Sequence, residues 1–181
     1  MKRLLLLCVL AVSAGCLGGF GGERVARAAS HPATLEAPGY TLANASSPSI
    51  DATVRASISG DVELQGQQRV NATLAVRRYE GNATVGLVTS PAVRPIENTD
   101  TVRDPFATLP VERQVALATG VRAGDGSATT SQVRLLGRNA TLTSYGDAHL
   151  VRVRHGEDFV TVVVVGERPS QSLLDGVTHE K

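Results

Sequence analysis

The sequence predicts an α+β domain: an antiparallel, curved sheet of about seven to eight strands, with one central and one C-terminal helix on one face. Segments in which every second residue is apolar recur between residues 52 and 165. One stretch, 109–120, has helical spacing instead. Residues 162–165 are four consecutive valines, which is typical of a central strand covered on both sides. A β-sandwich is the alternative fold.

The first strands are predicted from alternation. Residues 52–58 alternate between apolar and polar side chains, as in a strand with one face in the core. Residues 62–64 and 70–79 predict a hairpin whose turn lies at Gly66 and Gln67. The inner face of its second strand is formed by Val70, Ala72, Leu74 and Val76.

The middle of the chain predicts a strand, a long connection and a helix. Residues 84–89 predict the strand, and four prolines between 91 and 110 predict an irregular connection. Thr108 is placed to cap a helix that starts at Leu109 and Pro110 and ends at Gly120. The core-facing residues of this helix are Val111, Val115 and Ala118.

The last third predicts four strands and a short helix. The strands cover residues 129–136, 140–145, 148–154 and 159–165, with glycine-bearing turns between them. The helix follows Pro169 and has Ser170 as its N-cap. Leu173, Leu174 and Val177 are available to pack onto the sheet.

Residues 1–15 predict a signal peptide, because Lys2 and Arg3 precede an uncharged run over 4–14. As a helix this run spans about 17 Å, too short for a hydrocarbon core of about 30 Å. The sequence 13–16, Ser-Ala-Gly-Cys, resembles the lipobox of prokaryotic lipoproteins, which implies a lipid on Cys16. Cleavage after Ala14 to give a secreted protein and an uncleaved signal anchor are the alternatives.

Residues 16–38 are rich in glycine and alanine and predict a flexible tether, followed by a single domain over 39–181. Because Cys8 lies in the signal, Cys16 is the one thiol of the mature chain, which excludes an intrachain disulfide and a thiolate metal site. The chain has 18 basic and 17 acidic residues, and removing Lys2 and Arg3 leaves 16 basic. This balance argues against a nucleic-acid partner.

Four of the five asparagines lie in Asn-x-Ser/Thr sequons and are possible N-glycosylation sites: Asn44, Asn71, Asn82 and Asn139. The alternative is that they occupy turns and exposed strand positions. Together with the lipobox, the sequons indicate an archaeal cell surface and a glycoprotein.

The sequence contains no recognisable set of catalytic residues. His31, His149, His155 and His179 show no ligand spacing, so no metal or other cofactor is expected, and His155 is interpreted as a turn residue. The sequence contains no Gly-x-Ser-x-Gly elbow, and the glycines of 120–126 are not followed by Lys-Ser/Thr. The chain is therefore not expected to be an enzyme. One remaining hypothesis, weighed against an ordinary solvated face, is a basic face for anionic headgroups, formed by Arg77, Arg78, Arg152 and Arg154.

Several short motifs resemble those of a family of small haloarchaeal lipoproteins, which is classified as a domain of unknown function. These motifs are Gly39-Tyr40, 66–70 (Gly-Gln-Gln-Arg-Val), 89–93 (Thr-Ser-Pro-Ala-Val), Asp104-Pro105, 151–160 (from Val151 to Val160) and 174–180 (from Leu174 to Glu180). The resemblance implies a location and a topology, with no catalytic residue to carry over. More distantly, the order of elements is similar to half-barrel domains of lipoprotein carriers and to sheet-and-helix photosystem accessory domains.

The function expected from the sequence is a binding or interaction module, held on the outer face of the cytoplasmic membrane by the lipid on Cys16. Its partner is an unknown protein or a lipophilic ligand. A carrier with a half-barrel cavity is the alternative, favoured by an apolar cavity of about 300 Å³ or more under the central helix. A secreted location and an extracellular enzyme are further alternatives.

Overall fold

The computed structural model describes residues 26–58, 64–96, 99–122 and 126–180. Within these ranges the chain forms twelve strands and two α-helices. The strands are β1 (Ala26–Ala29), β2 (Thr34–Leu35), β3 (Thr41–Ser46), β4 (Ser49–Ile58), β5 (Leu64–Thr73), β6 (Ala75–Glu80), β7 (Thr84–Pro91), β8 (Ala128–Leu135), β9 (Arg138–Tyr145), β10 (Ala148–His155), β11 (Asp158–Val165) and β12 (Val177–Thr178). The helices are α1 (Val111–Thr119) and α2 (Gln171–Asp175), and a 3-10 turn covers Phe106–Thr108.

Seven strands form the main sheet, in the order β3-β6-β7-β11-β10-β9-β8. Every neighbouring pair in it is antiparallel, which confirms the predicted antiparallel sheet. The valine-rich strand β11 lies at its centre, and Val162, Val163 and Val164 are at most 1% exposed. This position confirms that a strand apolar on both faces is covered on both sides.

The two helices lie on opposite faces of the main sheet. Val163 belongs to the cluster that contains Val115 and Ala118 of α1. Its neighbour Val162 belongs to the cluster that contains Leu173 of α2. We call these the α1 face and the α2 face. The expectation that both helices lie on one face is wrong, because successive residues of a strand point to opposite sides and β11 needs an apolar cover on each.

The hairpin β4–β5 lies outside the main sheet. Together with β1 it forms a three-stranded sheet in the order β1-β5-β4. Its apolar residues, Val54 and Val70 among them, pack in the same cluster as Val88 of the main sheet. Part of the α1 face is therefore covered by a second sheet, as in the alternative sandwich fold. All four residues of the predicted inner face are buried: Val70, Ala72, Leu74 and Val76. The single strand predicted over 70–79 is wrong, because the chain divides at Leu74 between β5 and β6, which belong to different sheets.

The turn predicted at Gly66 and Gln67 is wrong. Both residues lie within β5, where they pair with Ala56 and Arg55 of β4. The connection between the two strands falls at 59–63, outside the described residues. Gly66 serves close packing, because a Cβ atom there would lie 2.5 Å from the carbonyl oxygen of Pro95.

Residues 26–38, predicted as part of the tether, belong to the folded domain. Strand β1 pairs in parallel with β5, and β2 pairs with β12. Ala33 and Leu35 are 2% and 7% exposed. The domain boundary expected at residue 39 is therefore wrong; residues 16–25 of the tether lie outside the described part of the chain. The few apolar residues of this segment are buried only because its strands pair with strands that are distant in the sequence.

The helix ends follow the sequence in part. Gly120 ends α1 in the left-handed conformation at φ 74°, and the Ser170 side chain caps α2 by accepting a hydrogen bond from the Leu173 N–H. The cap predicted at Thr108 is wrong, since its hydroxyl donates to the Pro105 carbonyl (2.7 Å) and Pro110 occupies the N-cap position of α1.

Candidate functional site

A buried ion pair joins the long connection to the main sheet on the α1 face. The Asp104 side chain is 3% exposed, and its Oδ2 lies 2.7 Å from Nε of Arg152 on β10. Oδ1 accepts hydrogen bonds from the Ser90 hydroxyl and from the Phe106 N–H (2.9 Å). The Arg152 Nε hydrogen is directed to the Thr161 hydroxyl (2.9 Å), so Oδ2 contacts the guanidinium as a charge without an aligned hydrogen bond.

Burial dominates the electrostatics of Asp104. Removal from water raises the pKa of its carboxyl above the ordinary value. The Arg152 guanidinium, the Ser90 hydroxyl and the N–H groups of Phe106 and Ala107 oppose this rise in the pKa. The protonated form of Asp104 is therefore favoured relative to a carboxyl in water. A protonated Asp104 does not neutralise the positive charge of Arg152.

Arg152 also connects the sheet to helix α1. Its Nη2 donates to the Gln114 side-chain oxygen (2.6 Å), and Gln114 Nε2 donates to the Leu109 carbonyl (2.7 Å). The guanidinium carbon lies 5.8 Å from the centre of the Phe106 ring. Among the described residues Nη1 forms no hydrogen bond, and the Arg152 side chain remains 28% exposed.

A cleft of about 450 Å³ opens beside this network, between the start of α1 and strands β9 and β10. In the described ranges helix α1 packs over β6, β7 and β11, and on the same face of β9 Thr141 is exposed while Thr143 and Tyr145 are half-buried. Alternate residues of β9 (Thr141, Thr143 and Tyr145) line the floor of the cleft, while Leu142 is buried in the cluster of the α2 face. The other lining residues are Ala107, Leu109, Pro110, Val111, Gln114, Leu150 and Arg152.

The cleft thus combines an apolar rim with a polar end. Leu109, Val111 and Leu150 supply apolar surface, whereas Arg152 and Gln114 supply the donors and the charge. Such a combination is typical of sites for small molecules that carry one charged group on an apolar body.

The residues singled out from the sequence lie elsewhere. Cys16 is outside the described part of the chain. Asn44, Asn82 and Asn139 are exposed, on β3, before β7 and at the start of β9. Asn71 is half-buried on β5, and its side-chain amide donates to Asp51 (2.9 Å).

The four arginines do not form one basic face. Arg77 and Arg78 are successive residues of β6 and point to opposite faces, and Arg78 Nη1 donates to the Thr119 carbonyl at the end of α1 (3.5 Å). Arg152 is held in the buried ion pair. The alternation of side chains along β10 could have indicated this role. Arg152 is two residues after the buried Leu150, so both side chains point to the same face, and β10 lies next to the central strand.

Three of the four histidines meet at one end of the sheet, which the sequence spacing did not indicate. His31 and His179 lie against the buried Asp158, and His155 contacts His179. No three His, Cys, Asp or Glu side chains of the described residues converge on one metal position. His149 lies apart and is held by Ser144 (2.8 Å) and the Gly166 carbonyl (3.3 Å).

Comparison of the chain with models of protein families, with curated proteins and with solved structures gave no match. In the described ranges no helix has both the length and the apolar character needed to cross a bilayer. The fold and the site together define the class of this protein: an α+β domain with a half-polar cleft next to a buried Asp–Arg pair.

Proposed function

We propose that the chain is a membrane-tethered, non-catalytic binding module of the cell surface, and that it binds a small carboxylate-bearing amphiphile in the cleft beside Arg152. The observation that carries the ligand class is the Arg152 guanidinium, fixed at one end of a half-polar cleft that has apolar side chains along its rim. A guanidinium presents paired donors that match a carboxylate.

The surroundings of Arg152 favour a binding role. Thr161 and Gln114 accept hydrogen bonds from Nε and Nη2, and Asp104 lies against Nε, so the side chain is oriented before a ligand arrives. Nη1 is left for the ligand. An oriented donor loses little conformational entropy on binding, which favours affinity.

The same geometry argues against the two alternatives expected from the sequence. The cleft is larger than the volume of about 300 Å³ that would favour a carrier of lipophilic ligands. However, threonines line its floor and Arg152 lines one end of it. A purely apolar ligand would desolvate these groups without pairing them. Asp104, with its raised pKa, is enclosed behind Arg152, Ser90 and the 106–107 backbone, which suits orientation of Arg152 better than reaction with a ligand.

Binding is tested by calorimetric titration with straight-chain carboxylates of increasing length and with the alcohols of the same length. We expect affinity to rise with chain length and the carboxylate to bind more tightly than its alcohol. Tyr145→Ala, which removes part of the cleft floor, is expected to weaken binding, whereas the control Tyr40→Ala, at a tyrosine of the α2 face, is expected to leave it unchanged. Equal affinity for acid and alcohol, or an unchanged affinity of Tyr145→Ala, would exclude the assigned site.

The tether is a separate part of the proposal and rests on the lipobox at Cys16 and on the resemblance to small haloarchaeal lipoproteins. Mass spectrometry of protein extracted from membranes reports the mature N-terminus and any lipid on Cys16. A Cys16→Ser variant is expected to leave the membrane fraction. A variant that remains there would contradict the lipid anchor.

A further inference from the structure

The histidine cluster joins three distant parts of the chain. His31 precedes β2, His155 ends β10, and His179 follows β12. The His155 and His179 Nδ1 atoms lie 3.0 Å apart, and their rings are nearly perpendicular at 74°. The His179 side chain is 2% exposed, so its ring is taken out of water by these neighbours.

The contacts of His179 fix its neutral form. Nε2 lies 3.1 Å from the carbonyl oxygen of His31, an acceptor, so Nε2 carries the proton. In the neutral ring Nδ1 is then the acceptor, and Nδ1 of His155 must be the donor. Asp158 Oδ2 lies 3.4 Å from the same Nε2 and accepts from the His31 N–H (3.3 Å).

The facing nitrogens can share one proton and cannot accommodate two. One proton between them forms a hydrogen bond, and the Asp158 carboxylate lies beside Nε2 of His179. A second proton would place two N–H groups head to head and two cations in contact. Proton uptake by such a pair is coupled.

Other charged groups surround the cluster. The His31 ring is 73% exposed, and its Nδ1 lies 3.8 Å from Asp158 Oδ2. The depression at His31 and Asp158 is also lined by Arg94, Arg154 and Glu157. Glu180 follows His179 and is exposed. The positive groups around the cluster are therefore Arg94 and Arg154, and the negative groups are Asp158 and the two glutamates.

The cluster closes the contact between residues 31–36 and 176–179. Val177 pairs with Leu35, the Glu36 N–H donates to the Gly176 carbonyl (2.8 Å), and the Thr34 and Thr178 hydroxyls lie 2.6 Å apart. A two-residue strand pair is weak by itself. Its closure therefore depends on Leu35 and Val177 in the core and on the histidine contacts.

We propose that His31, His155, His179 and Asp158 form an acid-sensitive latch, in which protonation of both His155 and His179 releases residues 176–180 from residues 31–36. Imidazole side chains generally change charge between about pH 5 and 8, so mild acidification is the trigger. Opening separates β2 from β12, while β1 stays paired with β5.

Hydrogen exchange measures the latch directly in the complete protein. Between pH 7 and pH 5 we expect protection factors in 31–36 and 176–180 to fall by about tenfold or more, with β10 and β11 unchanged. His155→Gln removes the second charge and is expected to abolish the fall. His149→Gln, on the same strand but outside the cluster, is expected to retain it.

A wild-type protein without the selective loss of protection, or a His155→Gln variant that keeps it, would overturn the latch. If His155→Gln does not fold, imidazole ¹⁵N titration of the wild-type protein provides the second measurement. His155 and His179 should then take up their protons in two successive steps. Independent, simultaneous protonation would contradict the proposal.

Discussion

Replacing Arg152 with methionine tests whether the buried pair is an electrostatic unit. Methionine keeps an apolar stem of similar length and removes the guanidinium. Asp104, 3% exposed, then retains the Ser90 hydroxyl and the Phe106 N–H but loses its positive partner. Removing one member of a buried pair leaves an uncompensated charge, so we expect a loss of about 3–5 kcal/mol in the free energy of unfolding at pH 7.

The loss should depend on pH, with a defined sign. Burial already raises the pKa of Asp104 above that of the unfolded chain, and loss of Arg152 raises this pKa further. A group with a raised folded-state pKa contributes stability that is fully present below the unfolded pKa, about 3.9, and is lost as pH rises through the folded pKa. As pH falls towards 4 the neutral form of the carboxyl becomes more populated in the variant, so the cost falls towards that of the hydrogen bonds to Thr161 and Gln114, about 1–3 kcal/mol.

The assay is urea unfolding followed by far-ultraviolet circular dichroism at pH 4 and pH 7, with wild type and variant measured at each pH. Any acid effect on the histidine cluster is common to both proteins and cancels in the difference. Adding Asp104→Asn to Arg152→Met removes the buried charge and should recover most of the loss at pH 7. An equal loss at both pH values, or no recovery in the double variant, would refute the electrostatic reasoning.

Three further predictions concern packing and modification. Gly86→Ala should destabilise the domain by about 1–3 kcal/mol in urea unfolding, because the new Cβ lies 2.5 Å from the Ala118 carbonyl oxygen, and adding Ala118→Gly should recover only part of the loss. Leu174→Ala should cost about 3–5 kcal/mol in the same assay, because Leu174 is 0% exposed; a loss below about 1 kcal/mol would mean that α2 is not held by the core. If the native protein is glycosylated, glycopeptide mass spectrometry should find lower occupancy at Asn71 than at the exposed Asn139, because the Asn71 amide is engaged by Asp51. Higher occupancy at Asn71 would contradict that hydrogen bond.

The strands of the last third could be predicted because their signals are local. The four predicted segments match β8 to β11 to within two residues at each end, and the four valines of 162–165 marked the central strand. The Gly120 helix end and the Ser170 cap are also local effects of backbone conformation and of a side-chain acceptor.

The errors arose where distant segments decide the structure. Gly66 has the composition of a turn, but the neighbouring Pro95 backbone makes it a close-packed strand residue. Residues 26–38 were predicted to be a spacer because the strands they form, β1 and β2, pair only with the distant strands β5 and β12. The candidate site was missed for the same reason, since Asp104 and Arg152 are 48 residues apart in sequence and meet only when the connection folds onto β10.

By itself, the sequence determined the antiparallel class, the central strand and both helices, since these depend on alternation, caps and composition within about ten neighbouring residues. Only the tertiary structure decided that the helices cover opposite faces, that a cleft lies between α1 and β9, and that Asp104 meets Arg152 and His155 meets His179. Strand order and long-range packing bring these groups together, and neither is encoded in local periodicity.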